Sequence, residues 1–352
     1  MKKRLLIGFL LMLTMFVTSI FAQDDEKVLT VITYDSFYIE EDVQAEFEET
    51  TGIKLEILRV SDAGVLINQS ILTRDNPLGD VLYGVDNTFL SRALDADLFI
   101  PYQAEGLEFI PEDVQLDAEE NRVTPVTFGD VCLNYDVAYF AENDLPLPES
   151  LADLTDEAYK GLLVAINPAT SSPGLAFLLA TVAEFGVDGD YTYLDFWADL
   201  VANDVLIVAG WSEAYYGEYS VSSENGTRPL VVSYASSPPV EVFYGEMDVE
   251  DAPSLSIVAD GMCFRQIEFA GILNGTDNEA EAQQFIDFLI GTTFQESLPF
   301  SNFVFPVNEE AELPELFTEM VEIAENPAFI SFEEIEANRD AWIQAWVETV
   351  LR

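Results

Sequence analysis

The chain has 352 residues, with 65 Asp+Glu against 14 Lys+Arg and no histidine, giving a formal net charge of −51. So acidic a surface excludes nucleic acid as a natural partner and reports a strongly solvated protein. The missing histidine excludes Ser-His and Cys-His catalysis and any His-ligated metal.

The chain starts with a basic tip, Lys2, Lys3 and Arg4, followed by an apolar run to Ala22 and then an acidic stretch. This layout predicts a secretory signal peptide over residues 1–22, with Ala22 and Ile20 at the −1 and −3 positions. A membrane anchor is the alternative, since the run approaches bilayer length; Thr14, Thr18, Ser19 and the small residue at the cut favour cleavage. No Cys follows the run, so a lipoprotein anchor is not expected. The exported chain would therefore be periplasmic or extracytoplasmic. There its two cysteines, Cys132 and Cys263, can form a structural disulfide.

Residues 28–37, VLTVITYDSF, read as a strand with a polar end. A helix follows, with Val43 and Phe47 at helical spacing and Gly52 as its stop. IKLEILRV (53–60) alternates as a second strand. SDAGVLINQSILTR then opens on a Ser or Asp cap and carries Val65, Ile67 and Leu72 as a buried face. DVLYGVDNTFLSRALDADLF repeats the strand-then-helix order, which predicts an α/β sheet with parallel strands. Binding residues in such sheets sit at the carboxyl ends of strands. Here those ends hold Tyr34-Asp35-Ser36, Ser61-Asp62-Ala63-Gly64 and Gly84-Val85-Asp86-Asn87.

VTPVTFGDVCLNYD is a long extended run, a candidate crossing to a second lobe, and GMCFRQIEFAGIL is a candidate return. If these two runs are neighbours, Cys132 and Cys263 can close a disulfide across them. Between them the α/β alternation restarts. NPATSSPGLAFLLA (167–180) reads as a helix start, with a Ser cap and Pro in the first turn. Its free N–H groups and the hydroxyls of Ser171 and Ser172 make a seat for an anion or hydroxyl. The strands in VLIVAGWSEAYYGEYS and RPLVVSYASSPPVEVFYGE end in aromatic and hydroxyl clusters. NEAEAQQFIDFLIGTTFQESLPF and the C-terminal tail read as amphipathic helices. The whole describes two α/β lobes with a cleft between them. The cleft clusters are rich in Tyr, Trp, Ser and Asp and poor in bases, which suits a cation or a heteroaromatic ring.

The ordered set TYDSF, SDAG, YGVDN, NPATSSPGLAFLL, GWSEAYYGEYS, LVVSYASSPPVEV, QIEFAGIL, FVFPVN and RDAWIQAWVETVLR resembles the thiamine-binding periplasmic proteins, from Val28 to Arg352. These are the substrate-binding components of thiamine ABC transporters. The resemblance implies a type II periplasmic binding fold: two α/β lobes, a two-strand hinge and a ligand in the cleft. The lobes would be 28–127 with 266–304, and 128–265 with 305–352. It implies contacts to thiamine or its phosphates at Asp62, Ala63, Ser171, Ser172 and Trp211, and across Tyr234, Ala235, Ser236, Ser237 and Pro238. Tyr34 and Phe303 would be further cleft aromatics. Ala63 departs from the usual Gly of these relatives and Phe303 from a Trp. It also implies a monomer that meets the permease subunits of an ABC transporter, with no cofactor, no metal and no catalysis.

Blander or rival assignments stand beside these. Asp62 serves equally as a helix N-cap, Trp211 and Tyr234 as packing residues, and the serines as caps. Tyr215 and Tyr216 suggest a ferric-iron site on the same fold, or act as one buried and one exposed helix residue; a polyamine is a further candidate ligand. A secreted glycosidase using two carboxylates is the enzyme alternative, but with 65 acids carboxylate pairs carry little weight.

Overall fold

The computed structural model describes residues 27–352; the expected signal peptide lies outside the described residues. The first part of the chain alternates as its hydrophobic pattern requires: β1 (Lys27–Thr33), α1 (Glu41–Thr51), β2 (Ile53–Arg59), α2 (Ala63–Leu72), β3 (Val81–Asp86), α3 (Leu90–Asp95) and a short β4 (Phe99–Ile100). Strand β1 pairs in parallel with both β2 and β3. Helix α1 buries Val43 and Phe47 and stops at Gly52, whose φ of 70° is the left-handed conformation that glycine adopts without a Cβ clash. Helix α2 buries Leu66 and Ile67, but Leu72 is 86% exposed. That corrects the expected apolar face: five residues at about 100° each carry Leu72 well away from the direction of Ile67.

A long strand, β5 (Thr124–Asp136), leads through α4 (Val137–Glu142) to a second alternation. This comprises β6 (Leu163–Ile166), α5 (Ser172–Phe185), α6 (Tyr193–Ala202), β7 (Leu206–Val208), α7 (Trp211–Glu213), β8 (Leu230–Tyr234), α8 (Pro239–Gly245) and β9 (Ser254–Ile257). Helix α6 and strand β9 were not singled out by the sequence. The return strand is β10 (Phe264–Leu273), followed by α9 (Glu279–Ile290), α10 (Thr292–Ser301), β11 (Phe305–Pro306), α11 (Glu315–Met320) and α12 (Phe332–Val350). The run expected as one helix is two, broken at Gly291, whose ψ of 153° is extended.

The strands lie in the order β2-β1-β3-β10-β5-β8-β6-β7. The two long strands are therefore central neighbours, and β10 runs antiparallel to both β3 and β5. Arg265 and Asp130 face each other in that pairing and form two hydrogen bonds of 2.8 Å. Cys132 and Cys263 are disulfide-bonded beside it, with Cα atoms 4.4 Å apart. The largest buried cluster draws on both halves of the sheet, joining Leu66 and Phe89 with Leu175, Phe177, Trp197 and Trp346. A second lies under the first half, where α1 and α9 contribute Phe47, Phe285 and Leu289. Helix α12 packs chiefly on α6, and its buried Arg339 donates to Ser91 on α3 at 2.9 Å. This frame holds the carboxyl ends of β1, β6, β7 and β8 around one cleft.

Candidate functional site

The cleft encloses about 440 Å³, within the ordinary range of small-molecule sites. One wall comes from the first half of the chain. Tyr34, Asp35, Ser36 and Tyr38 follow β1, and Asp62 and Ala63 begin α2. The opposite wall is Ser172 and Pro173 at the start of α5, Trp211 and Ser212 at α7, Tyr216, and Tyr234 and Ser237 after β8. Thr127, Phe128, Gly129, Gln266 and Glu268 of the two central strands form the floor. Phe303 and Asn302, at the end of α10, close one side.

Asp62 occupies the N-cap of α2, and its Oδ1 accepts the Ala63 N–H at 2.7 Å. Its Oδ2 accepts the Trp211 N–H from the other wall at 2.8 Å. One carboxylate thus caps a helix and joins the walls. Ser212 Oγ donates to Asp35 Oδ1 at 3.2 Å nearby. The walls also meet at backbone level: a Cβ on Gly64 would come within 2.7 Å of the Thr170 carbonyl, so only glycine fits there. Burial pushes the Asp62 carboxyl up to about 6, against the donation it receives from Trp211 and Ala63.

Trp211 is anchored at its edge, where Nε1–H donates to Ser233 Oγ at 2.8 Å. Its ring stacks on Tyr215 at 5.0 Å and meets Tyr216 edge-on at 5.4 Å. Tyr215 is fully buried behind Trp211 and donates to Glu241 Oε1 at 2.9 Å, whereas Tyr216 is half exposed and lines the cleft. The adjacent pair therefore does not offer two oxygens to one point. Burial, reinforced by Glu241, holds both phenols above their ordinary range. That works against paired tyrosinates. Among the described residues no group of three His, Cys, Asp or Glu is placed to hold a metal.

Of the residues expected at the ligand, Tyr34, Asp62, Ala63, Ser172, Trp211, Tyr234, Ser237 and Phe303 line the cleft. Ser171, Ala235 and Ser236 are buried and do not line it; Pro238 is the N-cap of α8 and is not part of the lining either. The expected capping role of Ser171 is corrected. It sits at the N-cap of α5 but makes no side-chain cap bond, and the second helical position is Pro173, which has no N–H to donate. The hydroxyls of Ser171 and Ser172 are buried without a hydrogen-bond partner. Phe303 adopts φ 52° and packs against Phe243 and Tyr244 of α8.

Sequence reasoning missed the floor. Glu268 Oε2 accepts from Thr127 Oγ1 at 3.1 Å and from the Tyr34 hydroxyl at 3.3 Å. Burial and the charge of Asp86 push the Glu268 carboxyl up to about 7, against those bonds. The phenols of Tyr34 and Tyr234 are held well above their usual value, by burial first and then by Glu268. The formal charges lining the cleft are thus Asp35, Asp62 and Glu268, with no Lys or Arg. Such a site can neutralise a cation, accept N–H donors and stack a flat ring.

Two wings of α/β structure, joined by central strands, face each other across a cleft, the arrangement of a solute-binding protein. The sequence profile of the bacterial extracellular solute-binding protein family matches residues 76–338, and the chain belongs to that family. It is similar to the thiamine-binding periplasmic protein of Salmonella typhimurium, 28% identical over 331 residues, covering 93% of this chain and 94% of the relative. The thiamine-binding periplasmic protein of Escherichia coli K12 is 29% identical over 332 residues, with the same coverage. Among solved structures, a periplasmic thiamin binding protein superposes with a TM-score of 0.79 at 26% identity, covering 92% of this chain and 96% of its own. A ferric binding protein from Campylobacter jejuni superposes with a TM-score of 0.71 at 18% identity, covering 91% and 99%; at that identity it shares the fold alone. Among the described residues no helix is long and apolar enough to cross a membrane.

Proposed function

We propose that this protein captures thiamine, or a thiamine phosphate, in the cleft and delivers it to the permease subunits of an ABC transporter outside the cytoplasm. The observation that carries this reading is the lining itself: Asp35, Asp62 and Glu268 without a single base, among Trp211, Tyr216, Tyr34 and Tyr234. Thiamine is a thiazolium cation joined to an aminopyrimidine. Carboxylates answer the cation and the amino group, and aromatic faces answer both rings. The hydroxyethyl arm, with or without phosphate, needs donors. The start of α5, where Ser172 lines the cleft and Ser171 stands just behind it, supplies them through backbone N–H groups and the Ser172 hydroxyl, without a full positive charge. The similarity to thiamine-binding relatives over nearly the whole chain supports the same ligand.

The two wings move as lobes in this reading, 28–127 with 266–304 against 128–265 with 305–352, about the central strands. Ferric iron is the weaker alternative, because Tyr215 points away from the cleft into Glu241. Titration calorimetry decides between them. Thiamine and its mono- and diphosphate are expected to bind saturably, one per chain, without turnover. Binding of ferric ion with a new visible absorbance, or of spermidine, and of no thiamine form would reject the proposal.

A further inference from the structure

The floor of the cleft contains more acceptors than the fold uses. Glu268 lies in β10 with Asp86 opposite it on β3 and Thr127 opposite it on β5. Directly paired residues share a face of a sheet, so these three side chains stand in a row across the strands. Gln266, two residues earlier, shares the face of Glu268. Thr127 Oγ1 and the Tyr34 hydroxyl both give to Glu268 Oε2, and the buried Tyr83 hydroxyl stands beside the same carboxyl without a partner of its own. Asp86 Oδ1 takes Thr88 N–H at 2.7 Å, the Thr88 hydroxyl and Phe89 N–H at 3.2 Å, as a turn cap.

Beyond the Tyr83 phenol, acceptor oxygen facing the cleft is left over. Gln266 Oε1 is without a partner although the residue is 4% exposed and lines the cleft. Asp86 Oδ2, in a residue 1% exposed, lies beside the Ser172 hydroxyl and does not line the cleft. Glu268 accepts through Oε2 alone among its oxygens. The titratable groups facing Glu268 are Asp86 and Tyr83 from β3, Tyr34 from the end of β1 and Tyr234 from β8. None of them carries positive charge. A buried acceptor left unmatched costs more than a matched one gains, so such a group marks where a donor is missing.

We propose that Glu268 and Gln266 form an acceptor subsite on the cleft floor that takes an N–H donor or the positive end of the bound molecule, separately from Asp62 on the wall. The subsite rests on the thiamine reading and deepens it: it takes the nitrogen-rich, donor-bearing part of the ligand, while the start of α5 takes the arm. Binding of a positive or donating group favours ionised Glu268 over the protonated form. Because burial and Asp86 hold the unliganded carboxyl at about 7, binding near neutral pH then releases a proton from Glu268.

The test is calorimetry with thiamine at pH 6, 7 and 8, in buffers of different ionisation enthalpy, on the wild type, E268Q and T127V. The wild type is expected to bind about tenfold more weakly at pH 6 than at pH 8 and to release close to one proton per ligand near pH 6.5, by linkage. E268Q keeps the shape and removes the charge. It should bind about tenfold more weakly at pH 8, as expected for losing a charged hydrogen bond, and lose most of the pH slope. The remainder is the titration of Asp62 near 6. T127V keeps Glu268 but removes a donor to its ionised form, so it should move the midpoint of the pH profile upward; this holds the proposal falsifiable if E268Q does not fold. An E268Q protein with wild-type affinity and slope, or a T127V profile with an unmoved midpoint, overturns the subsite while leaving the thiamine reading intact. Failure of the wild type to bind thiamine removes both.

Discussion

Replacing Asp62 by Asn should separate binding from folding, because the two effects have different physical origins. Asn retains one oxygen and is as good an N-cap as Asp, so the bond to Ala63 N–H survives. It cannot also accept the Trp211 N–H that Oδ2 now takes at 2.8 Å. Losing that charge-assisted bond costs about 1.5–3 kcal/mol. Against this, the wild-type carboxyl is held at about 6 rather than 3.8. Above pH 7 its ionised form therefore burdens the fold by about 3 kcal/mol, and the amide carries no such burden. That burden is already net of the Trp211 bond, so the amide relieves it, and the melting temperature at pH 7.5 should hold or rise. Affinity for thiamine has no such compensation: a cation facing the wall loses a carboxylate, and binding should weaken by about 1.5–3 kcal/mol. Calorimetry and thermal melts on the same preparation measure both. Wild-type affinity together with a fall in melting temperature would mean that Asp62 serves only to cap α2 and join the walls, and would refute the reasoning.

Trp211→Ala removes a ring seated between Tyr215 and Tyr216; thiamine affinity should drop by about 1–3 kcal/mol, and the ligand-induced fall in tryptophan fluorescence should diminish with it. The double change Ser171→Ala, Ser172→Ala removes two buried hydroxyls with no partner. It should leave stability close to wild type, yet lower the ratio of thiamine phosphate to thiamine affinity, since bonds to charged oxygens are about twice as strong as neutral ones. A constant ratio would put the arm elsewhere. Cys132 and Cys263, 131 residues apart in sequence, should give no reaction with a thiol label when the protein is unfolded without reductant. The double Ser variant should unfold at lower denaturant, in keeping with a loss of about 2–5 kcal/mol.

Much of the cleft wall was legible because it is local. Tyr34, Asp62 and Tyr234 stand at strand or helix ends that alternation and capping patterns mark within a few residues. The floor was not legible, because its meaning is non-local. In QIEF, polar Gln266 and Glu268 alternate with Ile267 and Phe269, which announces a strand with one polar face. Only the antiparallel placement of β10 between β3 and β5 turns that face toward the cleft and sets Glu268 against Asp86. The serine pair shows a subtler limit. A Ser before Pro-Gly predicts a helix start correctly, yet Ser171 makes no cap bond, and the proline removes one of the two N–H groups such a cap could use. Tyr215 and Tyr216 look alike in sequence and diverge in space, because neighbours on a helical turn point in different directions.

An acidic, aromatic cleft without a base is expected to bind thiamine in its own right. Native mass spectrometry of the purified protein, alone and after titration with thiamine at equimolar concentration, tests it most directly. A single added mass of one thiamine or thiamine phosphate per chain is expected, lost in the Asp62→Asn, E268Q double variant. A protein that stays at its bare mass with every thiamine form, or that carries iron instead, would contradict it.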